Sequence, residues 1–385
     1  AAKMKGGAEA KEDPGIVEES LIRQLADPTR KLLSVSQLET YGSCPYRYYL
    51  QYALKLKERE VPSVTALEDG NVYHELMKDS SDQISKSLSK EEARAIIADL
   101  LSRKASDYPV YQTTGRFRYY WEKLSRNASI SLKLLSDQCS WSDFKPEVFE
   151  WEFSDRPEAG GAPLTVELPD GEKLQLQGKI DRLDLWGDGE QRYVQIIDYK
   201  SSSKDVKPGE IHDGVQLQLP IYMEAARREF NAKPAGFFYF TLTPAELKME
   251  GGKSEEDLRM TEGRLSGLYV AEPKLMNHMD RSMVPGGGTA KVLPGSLTAK
   301  GVPNKQSKCY VTEDQMDRLQ ELVHEKIQKA AGGIRNGSFP RTPLADKDKE
   351  PCDHCAFKGA CPYDSRIPGT RRKNASSVSL ETLLQ

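Results

Sequence analysis

Apolar and polar positions alternate through the middle of the chain, and this period predicts strands at about 146–154, 163–167, 173–186 and 191–200. Before and after that block the apolar positions recur every three or four residues, the spacing of helices. Ser36-x-x-Glu39 is a capping-box pattern for a helix leading to Cys44. Within 68–138, Ser89-x-x-Glu92 caps one helix, and Phe117, Tyr120, Trp121 and Leu124 form the apolar stripe of the next. A helix is expected at 214–231, a strand at 236–242, and a long helix from the Thr312-x-x-Gln315 cap to about Gly332. Residues 1–33 read as a flexible linker with a short helix near Glu18–Ala26. Residues 246–260 are charged, 285–308 are Gly/Pro/Lys-rich and read as a mobile loop, and 365–385, with Arg371-Arg372-Lys373, read as a loosely held tail.

Chemistry concentrates in Leu174–Lys200, two strand segments joined by a Gly/Asp turn. The first carries Asp181 and the second ends in Asp198-Tyr199-Lys200. Asp198 and Lys200 are two apart and so share a sheet face, and strand pairing would bring Asp181 alongside. Two carboxylates and a lysine there suit a divalent metal and the water it activates; the bland alternative is a hairpin with solvated charges. Asp184 lies three residues from Asp181, faces the other way, and is excluded as a ligand. Upstream, His74 stands among Val72, Leu76 and Met77 on a helix, either as a ligand or as a satisfied core histidine. Downstream, Gln218 and Tyr222 are four apart and share one helix face.

In this order, His74, Gly178-x-x-Asp181, Asp198-x-Lys200 and Gln218-x-x-x-Tyr222 resemble the motifs of the RecB-like PD-(D/E)xK nucleases. The resemblance implies an α/β (α+β) fold with a restriction-endonuclease-like core and a helical N-terminal part. It also implies magnesium-dependent hydrolysis of DNA. Asp181, Asp198, His74 and the Tyr199 carbonyl would hold the ion. Lys200 would orient the attacking water or meet the charge on the phosphate, Gln218 would position the lysine or the phosphate, and Tyr222 would support the nucleic-acid strand.

Six cysteines occur, and Cys352, Cys355 and Cys361 form Cys-x2-Cys-x5-Cys. With Cys44 they make four thiolates, enough for zinc or an iron–sulfur cluster. Spacing does not choose between them, and zinc is the commoner reading of a compact Cys-x2-Cys. His354 is a spacer or an alternative zinc ligand, while Cys139 and Cys309 read as ordinary thiols. One cysteine far upstream and three near the end resemble the iron-staple nuclease domains, in which a 4Fe-4S cluster pins the domain's ends together. The resemblance is to the C-terminal nuclease domain of the AddB family, from Ser34-Val-Ser-Gln-Leu-Glu-Thr-Tyr-Gly-Ser-Cys-Pro to about Asp364. It divides the chain into a linker (1–33), a helical segment (34–138), a catalytic core (139–245), an insertion (246–310), a C-terminal helix with the cysteine motif (311–364) and a tail (365–385). Leu247-Lys-Met-Glu-Gly-Gly looks like the insertion of that family. The resemblance further implies an AddA motor subunit as partner, DNA as substrate, trimming of the strand ending 5′, and a role in double-strand break repair. Tyr41, Tyr46, Tyr48, Tyr49 and Tyr52, with Arg47, suit stacking on single-stranded DNA or packing in a core; helical spacing favours packing.

Composition adjusts this picture only slightly. A chain of 385 residues with 38% apolar content can bury a large core. A net charge of −3 carries no basic footprint in the sum, so any DNA groove must be locally positive. No apolar run spans a bilayer, and unpaired-looking cysteines fit a reducing bacterial cytoplasm. The chain starts Ala-Ala-Lys-Met and lacks a Gly-x-x-x-x-Gly-Lys-Ser/Thr phosphate loop, and so reads as a fragment or a nuclease domain separated from a motor. The competing functions are a DNA-binding module that does not cut, a stand-alone CRISPR-associated RecB-like exonuclease, and a structural zinc protein.

Overall fold

A computed structural model of the chain describes residues 17–18, 20–21, 27–57, 66–187, 189, 191–244, 247, 252, 254–286, 290–304, 308–346, 351–367 and 370–385. Strand β1 (Leu33–Ser34) runs into helix α1 (Val35–Ser43), followed by α2 (Pro45–Tyr48) and a π-turn over Tyr49–Ala53. Helices α3 (Ala66–Asp79), α4 (Ser81–Ile84), α5 (Lys90–Lys104) and the long α6 (Gly115–Trp141) come next. The catalytic half contains β2 (Lys145–Phe153), β3 (Leu164–Glu167), β4 (Lys173–Gly187), β5 (Arg192–Lys200), α7 (Pro208–His212), α8 (Gln218–Glu229) and β6 (Lys233–Thr241). Helix α9 (Glu255–Glu262), β7 (Ser266–Val270), α10 (Pro273–Met279), β8 (Tyr310–Val311) and α11 (Glu313–Arg335) follow. The last elements are β9 (Leu344–Ala345), β10 (Lys373–Asn374) and α12 (Leu380–Leu383).

Strand β4 is the spine of the main sheet. Its first half pairs with β1 in parallel and with β3 antiparallel, and its second half pairs antiparallel with β2 and β5. Beyond β5 the sheet continues through β6 (parallel), β7 (antiparallel) and β8 (parallel). The parallel β5–β6 step requires a crossover, and α8 supplies it. β6 is buried from Pro234 to Phe240, with Phe237, Phe238 and Phe240 all in the core. Burial on both faces accounts for a continuous apolar run where alternation would otherwise be expected.

All four strands expected between 146 and 200 are present within a residue or two, as are the Ser89/Glu92 and Thr312/Gln315 capping boxes. The mixed fold class is likewise as expected. The first cap is not. Ser34 caps α1 and is paired with Gln37, because Leu33 and Ser34 are held extended against Leu176 and Gln177 of β4. Glu39 is thereby free for another task. The expected helix at 214–231 begins only at Gln218. The buried stripe of α6 lies further along than expected, on Leu124, Ala128, Leu132, Leu135 and Cys139.

Two segments expected to be loose are anchored. The Asp280 carboxylate accepts backbone N–H groups of Lys291, Val292 and Leu293 at 3.0, 2.8 and 3.1 Å, and Val292 and Leu293 are buried. In the tail, β10 pairs with β9, the Ser376 N–H donates to Asp213 at 2.7 Å, and Leu383 is buried. Buried acceptors and apolar side chains override the loop-like composition. Most of the helix expected near Glu18–Ala26 and most of Leu247–Gly252 lie outside the described residues.

Candidate active site

The site grows out of the register of three strands. Arg182 of β4 faces Ile197 of β5, so Asp181 and Asp198 come next on each strand and share a face. On the other edge of β4, Phe149 faces Arg182 and Trp151 faces Ile180, which brings Glu150 opposite Asp181. Three carboxylates therefore stand in file across the sheet. Glu150 has φ 54°, in the left-handed region that a non-glycine residue adopts at a cost. It is ion-paired with Lys179.

Helix α3 adds His74, whose Nδ1 lies 3.5 Å from Asp181 Oδ1. Ligand atoms of His74, Glu150 and Asp181 lie within 4.8 Å of one another, and among the described residues this is the one such group of His, Cys, Asp and Glu. Burial alone would lower the His74 pKa, but Asp181 and Asp198 beside it carry it above the usual value. The other Asp181 oxygen accepts the Tyr199 N–H at 2.6 Å. The Tyr199 backbone thus meets this carboxylate through its amide.

Asp198 is buried and ion-paired with Lys200. Desolvation, then the charge of Asp181, pushes its pKa up to about 7 against the pull of Lys200. Its Oδ2 is the oxygen that meets Lys200 Nζ. Gln218, the first residue of α8, bridges the pair: its Nε2 donates to Asp198 Oδ1 at 2.7 Å, and its Oε1 accepts from Lys200 Nζ at 3.2 Å. Tyr222, one turn later, is buried; its hydroxyl accepts the Lys179 N–H at 3.4 Å and also bonds Gln218. Through that bond it braces the glutamine. Space for its ring depends on Gly178, where a Cβ would stand 2.5 Å from Tyr222 and 2.7 Å from Phe153.

Asp184 lies on the opposite face, as alternation requires. It is fully buried in a two-point ion pair with Arg182, at 2.7 Å for each bond, and accepts a third bond from Gln195 at 2.9 Å. Burial with paired charges marks it as structural.

Sequence reading missed three polar neighbours. Glu150 was recognisable only as a polar position alternating with Phe149 and Trp151. Lys204 lies with Lys200 over the Tyr239 ring, at 4.8 and 5.6 Å from its centroid. Glu39 accepts the N–H groups of Leu217 and Gln218, and no local signal announces contacts so distant in sequence.

Cys44, Cys352, Cys355 and Cys361 line a single cavity with Arg47, Arg341 and Lys358 on its wall. Burial pushes the Cys44 thiol up, and Cys361 and Cys355 add to the shift. His354 is exposed and does not line this cavity. Cys139 and Cys309 are buried elsewhere. The tyrosine segment packs inward. Tyr48 and Tyr49 stack on Phe339, and the Tyr41 hydroxyl donates to the Ser338 carbonyl at 2.8 Å.

Among the described residues, no helix is long and apolar enough to cross a membrane. Curated relatives share this sequence over most of its length, and three of them are each named as a subunit of an ATP-dependent helicase/deoxyribonuclease. The protein from Clostridium perfringens strain 13 is 30% identical over 358 residues, which is 89% of this chain and 31% of that protein. The one from Thermoanaerobacter sp. strain X514 is 29% identical over 88% of the chain and 30% of its own length. That of Clostridioides difficile strain 630 is 29% identical over 96% and 33%. The chain thus spans about a third of the length of these relatives. Residues 32–362 match the PD-(D/E)XK nuclease superfamily, whose members use divalent metals. On sheet, site and sequence together, the chain belongs to the PD-(D/E)XK nuclease superfamily, the metal-dependent nucleases.

Proposed function

We propose that this chain is the DNA-cutting domain of an AddAB-type helicase–nuclease of the bacterial cytoplasm. It is a magnesium-dependent exonuclease that trims the strand ending 5′ while an AddA partner supplies the motor, in recombinational repair of double-strand breaks. The file of Glu150, Asp181 and Asp198, closed by His74 and Lys200, carries this reading. The names of the relatives favour it over a stand-alone CRISPR-associated exonuclease.

The donor set fits magnesium: hard carboxylates and an imidazole, with Asp198 buried beside them. Asp181, Asp198 and His74 would hold the ion with the Tyr199 carbonyl, and Glu150 joins them on geometry. When bound, the ion lowers the pKa of a water and offsets charge on the phosphorus. Lys200 then orients the water or donates to a phosphate oxygen, where a positive charge gains most as the oxygens become more negative. Gln218 holds Lys200 and Asp198 at a fixed separation, and Tyr222 holds Gln218.

The four cysteines fit a 4Fe-4S cluster. All four line one cavity, and its basic wall suits the negative charge of such a cluster. Such a centre ties Cys44 to residues about 300 positions later, removing several kcal/mol of unfolded-state freedom.

The test is degradation of end-labelled single-stranded DNA by the purified chain, with magnesium or with chelator. Label should be lost from the 5′ end only with magnesium, and Lys200→Ala and Asp198→Ala should abolish cutting with an unchanged circular dichroism spectrum. Cutting that persists in either variant refutes the assignment.

A further inference from the structure

We infer that Glu39 is a positioning residue for the cutting reaction: from helix α1 it pins the first turn of α8 and so fixes where Gln218 meets Lys200 and Asp198. This rests on the reading of Gln218 and Lys200 above. Helix α8 has no cap of its own, because its N-cap residue Leu217 has no side-chain acceptor. Its leading N–H groups need partners, since the first turn of a helix leaves four donors unsatisfied. Glu39 Oε1 accepts two of them, from Leu217 at 2.7 Å and from Gln218 at 2.9 Å.

A carboxylate in that place is costly to bury, and burial pushes the Glu39 pKa up, while the two amides, Lys204 and Lys200 pull it back. A serine or aspartate at position 217 would accept from the Leu219 N–H, not from those of Leu217 and Gln218. What Glu39 adds is a tie between two elements. The backbones of α1 and of the turn before α8 also touch: a Cβ on Gly42 would stand 2.3 Å from the Gly214 carbonyl oxygen. Helix α1 ends at Cys44, so one short helix joins the cysteine cavity to the residue that bridges Asp198 and Lys200.

The test compares the full chain with Glu39→Ala and Glu39→Gln, reading hydrogen exchange of the peptide spanning 214–222 alongside steady-state cutting of single-stranded DNA. In Glu39→Ala the opening amides of α8 should exchange about tenfold faster and kcat should fall about tenfold, with KM within about twofold. The unfolding midpoint and visible absorption should stay near those of the parent. Glu39→Gln keeps an acceptor oxygen and should restore both exchange and kcat. If Glu39→Ala does not fold, Glu39→Asp, withdrawn by one methylene, carries the same expectation. Unchanged exchange at 214–222, or unchanged kcat with faster exchange, overturns the inference. A parent chain that does not cut refutes the proposed function instead, and the exchange comparison still decides whether Glu39 holds α8.

Discussion

Glu150 combines a carboxylate facing Asp181 with a backbone at φ 54° inside a strand. Asparagine tolerates that conformation better than glutamate and cannot supply a charged ligand. Glu150→Asn should therefore be at least as stable as the parent in urea yet cut more slowly, about tenfold or more. A loss of stability with full activity would show that the strained conformation does not serve the site. Asp198 gives a pH dependence. In metal-free protein it keeps its proton up to about pH 7. Magnesium must displace that proton, so affinity by calorimetry should rise as pH rises toward 7 and then level off. Stability runs the opposite way. The unfolded chain releases the same proton near about pH 4, so between there and 7 the metal-free fold binds the extra proton, and this group's contribution falls as pH rises. Asp198→Asn should flatten that slope in thermal melts without metal. Asp198 and Lys200 were legible because strand alternation puts them on one face, and Asp181 because a short turn pairs its strand with theirs. Glu150 was not, because its place depends on β2 registering against β4 across a long break in sequence.

Among the elements, those whose stabilisation is local were read well. Alternation marks β3 and the first half of β4, and the caps of α5 and α11 lie three residues from their partners. The cap of α1 was misplaced because two serines compete. Tertiary pairing of Ser34 with β4 decides between them. Ser34→Ala should cost about 1 kcal/mol in denaturant unfolding, and the exposed Ser36→Ala less than about 0.5. The reverse order would restore the expected box. The ordered segment after Asp280 and the docked tail were illegible for a related reason. Their anchors, Asp280 and Asp213, lie in other elements, and composition registers only the Gly/Pro content between them.

For the molecule as a whole, the cysteines set the outer boundary. Cys44 stands at the end of α1, and its three partners come after α11, so a shared centre would close the chain around every strand of the main sheet but β1. Cys44→Ala should remove visible absorption and lower the unfolding temperature, while magnesium affinity, set by β4, β5 and α3, stays within about threefold. Equal absorption in the variant would exclude Cys44 from the centre. The gap between sheet and helix, meanwhile, hangs on an atom that is missing. Gly178 leaves its neighbours just the room they occupy, with Tyr222 on one side and Phe153 on the other. An added methyl would be a wedge: it would prise the α8 layer upward and carry off the amide that clasps the lysine, while every carboxylate kept its address. A nuclease with an intact inventory of ligands and no grip on its lysine would be the result.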